Sequence, residues 1–345
     1  MDLDGDGHAD ILSGSWPGEL FLFRGGPGRT FAAPEMMRYA DGGIIAIGGG
    51  VNEQPDGSIL ITGNAEFKNE DGKSFVEYHG RRFDNSDEKP ISVTGSATAA
   101  HAADWDGDGD LDILVGDIRG NVRLVPNAGS RTEPAFAPET ELEAAGSILR
   151  VEGDAGPFAA DWDGDGDLDL LVGAGDGSVS LFVNAGTARA PRLVAAETIL
   201  PATQERFWED PAPRGARRGI RTKICAADWN GDGLLDLLVG DYSTSAPDLP
   251  EPSPEEKVRH DRIRAELESV ETRFSEIAQK IFERDRPKGK EEHDRLEAEY
   301  SKVMEEMQNL RRQVPPESED HGWVWFFERK PVAVAAAAAA AGSGD

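Results

Sequence analysis

The chain has 345 residues, enough for one large domain or two modest ones, and a formal charge of −29. The acidity argues against a nucleic-acid partner, which needs basic surface; no apolar run of ~18 residues offers a membrane span. One cysteine, Cys225, excludes an internal disulfide. Forty glycines against 7 % aromatics suit short strands and tight turns.

The first element is an acidic loop, Asp2-Leu3-Asp4-Gly5-Asp6-Gly7-His8-Ala9-Asp10, running into the apolar segment Ile11-Leu12-Ser13-Gly14. A turn through Pro17-Gly18 leads to a second strand, Glu19–Phe23, so the pattern predicts a hairpin. No strand precedes this loop, so the first unit lacks its leading strand. The N-terminus therefore reads as incomplete, and the lack of a visible signal peptide says nothing of destination. The next stretch reads as a degenerate copy without the acids: Ser58–Gly63 matches the apolar strand, and Asp71–Tyr78 the strand after it.

The loop then returns in full. Asp104-Trp105-Asp106-Gly107-Asp108-Gly109-Asp110-Leu111-Asp112 runs into Ile113-Leu114-Val115-Gly116, and Asp161–Asp169 into Leu170-Leu171-Val172-Gly173. Asp228–Asp236, with Asn230 for one aspartate, runs into Leu237-Leu238-Val239-Gly240. The closing glycines Gly14, Gly63, Gly116, Gly173 and Gly240 recur at a near-even period, as in a propeller or solenoid with one supersecondary unit per repeat. The Leu-Leu-Val segments do not alternate, which predicts strands buried on both faces. Cys225, in the strand-like run Lys223–Ala227, reads as a buried small apolar residue.

A proline-rich stretch follows, and then Ser253-Pro254-Glu255-Glu256, a helix start with a capping box. Apolar residues at Ile263, Leu267, Val270, Phe274, Ile277 and Ile281, then at Leu296, Tyr300, Val303, Met307, Leu310 and Val314, step by fours and threes. The spacing predicts an antiparallel coiled-coil hairpin over 253–314. Trp323–Glu328 resembles the returning strands of the earlier repeats, so the hairpin reads as an insertion in the last repeat, between its second and third strands. The expected organisation is repeats over 1–245, the hairpin, a returning strand over 321–331 and a disordered alanine-rich tail over 332–345.

Acids at loop positions 1, 3, 5 and 9, a glycine at position 6 and a carbonyl at position 7 form an oxygen-rich cage for a hard cation, with calcium preferred over magnesium. The expected ligands are Asp2, Asp4, Asp6, Asp10 and the His8 carbonyl; Asp104, Asp106, Asp108, Asp112 and the Asp110 carbonyl; Asp161, Asp163, Asp165, Asp169 and the Asp167 carbonyl; and Asp228, Asn230, Asp232, Asp236 and the Leu234 carbonyl. About four Ca²⁺ ions are expected, in a structural role. The loops are not EF-hands: Ser13, Val115, Val172 and Val239 stand where a bidentate glutamate belongs, and a strand follows instead of a helix.

The pattern Asp-x-Asp-Gly-Asp-Gly-x-x-Asp-Leu-Leu-Val-Gly resembles the FG-GAP, or VCBS-type, repeat of integrin-alpha-like β-propellers. The resemblance covers 1–245 and resumes near 321–330. It implies an all-β propeller of about five recognisable blades with calcium loops on one face and the helical hairpin rising from the other, the face on which such proteins commonly bind ligands. Phe207, Trp208, Arg214, Arg217, Arg218 and Arg221 are the candidate ligand-binding residues there, for an anionic partner such as an acidic glycan. The alternative is a surface loop neutralising its own acids. The expected function is a non-catalytic, calcium-stabilised binding module for a protein or glycan outside the cytoplasm, extracellular or periplasmic. The alternative is a polysaccharide lyase or hydrolase on the same face. The hairpin reads either as an inert insertion or as an arm for docking a partner or a second copy.

Overall fold

The computed structural model describes residues 1–70, 73–86, 89–203, 217–245, 247–282, 290–316 and 318–331. It is mostly β, in many small sheets, with two helices. Phe207, Trp208, Arg214 and the alanine-rich tail lie outside the described residues.

Four sheets carry the acidic loops. The first comprises Ile11–Ser13, Phe21–Phe23 and Glu35–Met36. The second runs Ala99–Ala103, Asp112–Gly116, Val122–Val125, Thr140–Glu141, and the third Gly156–Ala160, Asp169–Gly173, Val179–Phe182, Glu197–Leu200. The fourth joins Ile220–Ala227 to Asp236–Ser245, which then pairs with Glu319–His321 and Val324–Phe327. Neighbouring strands within each are antiparallel; the acidic loops of the second, third and fourth sheets each link one strand to the next at the same end of the sheet, and the first loop leads directly into Ile11–Ser13.

The sheets pack face to face in chain order. Leu12, Leu20 and Leu22 of the first unit meet Ile113, Val115 and Val125 of the second. Leu114 and Val122 meet Leu170, Val172 and Phe182 of the third, and Leu171 and Leu181 meet Leu237 and Val239 of the fourth. Successive side chains of one strand thus serve two different cores, which is why Ile113-Leu114-Val115 and Leu170-Leu171-Val172 are fully buried without alternation. Each such side chain contributes about 1.5–3 kcal/mol relative to exposure. The closing glycine admits the next sheet: a Cβ on Gly116 would stand 2.2 Å from the Ala155 carbonyl oxygen, and one on Gly173 2.3 Å from that of Thr222.

Two sequence expectations are corrected here. Residues 51–78 are not a copy of the repeat. Ile59–Thr62 pairs antiparallel with Gly50–Glu53 and parallel with Ile91–Thr94, while Lys73–Tyr78 belongs to a separate three-stranded sheet. The first acidic-loop sheet packs directly on the second, with no sheet from 50–94 in their shared core. Cys225 is exposed, not buried, because it lies on the side of the fourth sheet turned away from the third.

The helices α1 (Pro254–Phe282) and α2 (Lys290–Arg311) depart after Ser245 and return before Glu319. Ser253 caps α1: Glu256 N–H donates to its Oγ at 3.3 Å, and its own N–H donates to Glu256 Oε2 at 2.8 Å. The two helices bury Ile263, Val270, Ile277 and Ile281 against Leu296, Val303, Met307 and Leu310, a core separate from those of the sheets. Arg311 bonds Glu271 across the pair at 2.7 Å. Neither helix is long and apolar enough to cross a membrane.

Candidate metal centres and the opposite end of the sheets

All four acidic loops share one hydrogen-bond framework. The position-6 amide donates to the position-1 carboxylate: Gly7 to Asp2 (3.2 Å), Gly109 to Asp104 (3.1 Å), Gly166 to Asp161 (3.1 Å) and Gly233 to Asp228 (3.0 Å). Oxygens at positions 3 and 5 accept from amides two residues on, as Asp106 does from Asp108 (3.2 Å) and Asp108 from Asp110 (3.1 Å). These are tight turns that Asp and Asn favour. The glycines at positions 4 and 6 sit at positive φ, for example 68° at Gly107 and 103° at Gly109.

Position 9 has a second task. Asp112 accepts from the amides of Trp105 (3.1 Å) and Asn127 (2.7 Å), so one carboxylate ties the start of the loop to the end of the neighbouring strand. Asp10 does this for Leu3 and Gly25, Asp169 for Trp162 and Asn184, and Asp236 for Trp229 and Arg329. All four carboxylates are buried. Burial pushes Asp112 up to about 6 against its two amide bonds, and raises Asp169 in the same way. Reading position 9 only as a cation ligand missed this clamp, whose second partner lies fifteen or more residues away. The repeated Asn-Ala-Gly at Asn127 and Asn184 was the available signal.

The structure brings Asp2, Asp4 and Asp6 together, likewise Asp104, Asp106 and Asp108, and Asp161, Asp163 and Asp169, each set with oxygens within 4.8 Å of one another. In the fourth loop Asn230 Nδ2 donates to Asp232 at 3.2 Å. Buried oxygens Asp2 Oδ1, Asp104 Oδ1, Asp110 Oδ1 and Asp167 Oδ1 have no hydrogen-bond partner. Burial, then repulsion from the neighbouring aspartates, raises Asp110 and Asp167 above the usual carboxylate range. Converging, unpartnered carboxylate oxygens in a glycine-hinged loop fit a hard divalent cation. The first loop differs: Arg24 pairs with Asp4 and with Glu35 (2.6 Å), and Arg131 approaches Asp2 at 3.7 Å.

The described part of the basic segment folds onto the protein. Arg221 pairs with Asp154 at 2.5 Å, and Lys223 Nζ lies 3.4 Å from the same carboxylate and donates to the Asp154 carbonyl at 2.9 Å. Burial lowers the Lys223 ammonium, with Asp154 opposing. Arg218 donates to the Pro201 carbonyl, and burial lowers it despite Asp241 and Asp176 nearby. Arg217 lies beside it, also engaged. These groups sit at the sheet ends away from the acidic loops, together with Trp325, whose Nε1 donates to Asp241 at 2.7 Å, and Tyr242, which donates to Asp320 at 2.9 Å.

Comparison with known proteins gives one family: the FG-GAP-like repeat matches residues 104–172 and 161–239. No curated protein matches the chain. Among solved structures, one described as the structural basis of specific recognition of non-reducing terminal N-acetylglucosamine by an Agrocybe aegerita lectin aligns at 18 % identity with a TM-score of 0.32. That alignment covers 70 % of this chain and 61 % of the lectin chain, and a likeness at this level assigns neither fold nor ligand.

Proposed function

Because the chain is an FG-GAP repeat protein, with the repeats matched over 104–239, we propose that it is a calcium-stabilised binding module of β-propeller type. Its stacked sheets act as blades, and its ligand, protein or glycan, meets the face away from the acidic loops. The observation that carries the calcium reading is the convergence of carboxylates within each loop, Asp2 with Asp4 and Asp6, Asp104 with Asp106 and Asp108, and Asp161 with Asp163 and Asp169, where buried oxygens of Asp2 and Asp104 have no hydrogen-bond partner. Such groups cost stability unless a cation neutralises them. The cation would be held by the aspartates at positions 1, 3 and 5, with position 9 completing the set, and it would supply charge neutralisation and cross-linking of the loop. Loops of this kind in extracellular modules bind at roughly 10⁻⁴–10⁻³ M, so filling them favours a calcium-rich, extracytoplasmic setting.

The non-catalytic reading rests on the chemistry of the opposite end. Asp154 engages both Arg221 and Lys223. The hydrogen bond to Asp320 raises the Tyr242 phenol, so it stays protonated at neutral pH and offers no base. Two measurements test the proposal. A thermal melt with millimolar calcium against chelator should show a large upward shift with calcium, and an unchanged melt removes the metal reading. Pectin-like and sulfated glycans assayed for turnover should be left intact; cleavage would establish the lyase or hydrolase alternative instead.

A further inference from the structure

We propose that Asn230 is a site of spontaneous deamidation restrained by the closed form of the fourth acidic loop, so that opening the loop exposes its ligand set to irreversible change.

The chemistry starts from the sequence. A glycine after asparagine leaves the backbone nitrogen unshielded by a side chain, and of the asparagines in this chain only Asn230 precedes a glycine, Gly231. In the reaction the Gly231 nitrogen bonds to Asn230 Cγ and the Cγ–Nδ2 bond breaks. Nδ2 leaves as ammonia, carrying the proton that the Gly231 amide gives up. Water then opens the cyclic imide. Opening at Cγ gives aspartate; opening at the main-chain carbonyl gives isoaspartate, with the backbone routed through Cγ. Neither step needs an oxidant or a cofactor. The other loops carry Asp4, Asp106 and Asp163 at this position, which have no ammonia to lose. Asn127 and Asn184 precede alanine, are 5 % and 2 % exposed, and each has Oδ1 held by two backbone amides.

At Asn230 the structure engages both reacting groups elsewhere. The Gly231 N–H donates to Asp228 Oδ1 at 2.7 Å. Asn230 Oδ1 accepts from the Asp232 amide at 2.9 Å, and Nδ2 donates to Asp232 Oδ2 at 3.2 Å. The side chain is thus turned onto residue 232, as in an Asx turn, while the nucleophile faces Asp228. Ring closure has to break these bonds, so it waits on local opening of the loop. Asp228 is the hub of the closed form, because it also accepts from the amides of Asp232 and Gly233, each at 3.0 Å.

The two products change the loop in opposite senses. Aspartate at 230 gives the fourth loop the same acids at positions 1, 3, 5 and 9 as Asp104, Asp106, Asp108 and Asp112. Isoaspartate inserts a main-chain carbon between positions 3 and 4. It carries the Gly231, Asp232 and Gly233 amides out of register with Asp228, and the turn can no longer close as before.

The test warms the full chain at neutral pH, below its melting temperature and in chelator, so that the outcome stands apart from the calcium reading. A second sample is held unfolded in urea. The tryptic peptide 224–257 contains Asn230 as its one asparagine. Its gain in mass, from exchange of –NH2 for –OH, therefore reports this residue alone, and isoaspartate-specific enzymatic methylation measures the second product. Loss of one hydrogen bond to a charged group makes opening about tenfold more frequent. The folded wild type should therefore convert at least about tenfold more slowly than the unfolded chain, and Asp228→Ala about tenfold faster than the wild type. Asn230→Gln should gain no mass over the same period. Circular dichroism confirms folding, and Asp232→Ala, which removes the Nδ2 acceptor, stands in should Asp228→Ala fail it. A folded wild type that keeps pace with the unfolded chain overturns the proposal, since the loop then restrains nothing. So does a folded Asp228→Ala or Asp232→Ala that converts no faster than the wild type.

Discussion

The position-9 clamp predicts that two aspartates of one loop, Asp112 and Asp106, will respond oppositely to the same chemistry. Asp112→Ala leaves the amides of Trp105 and Asn127 without their acceptor. Each stranded amide costs about 1–3 kcal/mol, so the pair costs about 2–6. Deletion also relieves the burial that lifts Asp112 to about 6, worth about 3 kcal/mol at neutral pH. The net is centred on a destabilisation of about 1 kcal/mol in chelator, or roughly 2–4 °C in Tm for a domain of this size. Asp106 is exposed and adds to the repulsion felt by Asp110. In chelator, Asp106→Asn should therefore leave Tm unchanged or raise it slightly, while in calcium both substitutions should lower it. Paired thermal melts by differential scanning calorimetry, with calcium and with chelator, give the comparison. If Asp106→Asn costs as much as Asp112→Ala in chelator, or if Asp112→Ala costs nothing there, position 9 is not a backbone clamp.

Three further outcomes follow from the same structure. His101 stacks on Phe158 at 4.2 Å between centroids, and burial lowers it to about 4 from 6.5. Its unfolded form takes the proton first as pH falls, so stability is intact above about pH 7 and declines from about 6.5 toward 4, by about 3 kcal/mol in all. His101→Phe should flatten that part of the pH profile in urea titrations, and an unaltered slope would exclude it. Arg24→Ala frees Asp4 and Glu35, so isothermal titration calorimetry should show tighter binding or an added event for calcium at the first loop, and an identical isotherm would count against that loop as a site. Gly116→Ala forces a methyl against the Ala155 carbonyl and should cost about 2–3 kcal/mol by overpacking, whereas Gly240→Ala, with nothing closer than 3.6 Å, should stay within about 0.5; equal costs would refute the stacking geometry.

The parts of this molecule legible in the sequence are those whose interactions are local. The turns of the acidic loops close within five residues, so spacing alone places Asp104, Asp106 and Asp108 together. The helical pair is encoded by a stripe that each helix carries by itself, and the residues counted in fours and threes are those that meet in its core. What escaped depends on partners distant in sequence. Ile59–Thr62 has the composition of a repeat strand, but its parallel partner Ile91–Thr94 carries no mark of that pairing. Asp154 could not be matched to Arg221 and Lys223 from the sequence, so the basic segment read as freer than it is. Cys225 reads as interior because its neighbours are apolar, yet its exposure is decided by which sheet stands in front of it.

The helical pair leaves and rejoins its sheet at a single rung: Ser245, where the strand ends, faces Glu319, where it resumes. Cα atoms of such a pair are about 5 Å apart, a gap that a tight turn bridges as readily as two long helices do. The stack therefore cannot sense the size of what is mounted there. The site behaves as a socket, open to replacement by a short linker, a reporter or a foreign recognition module, and the cargo can change without re-tuning the scaffold.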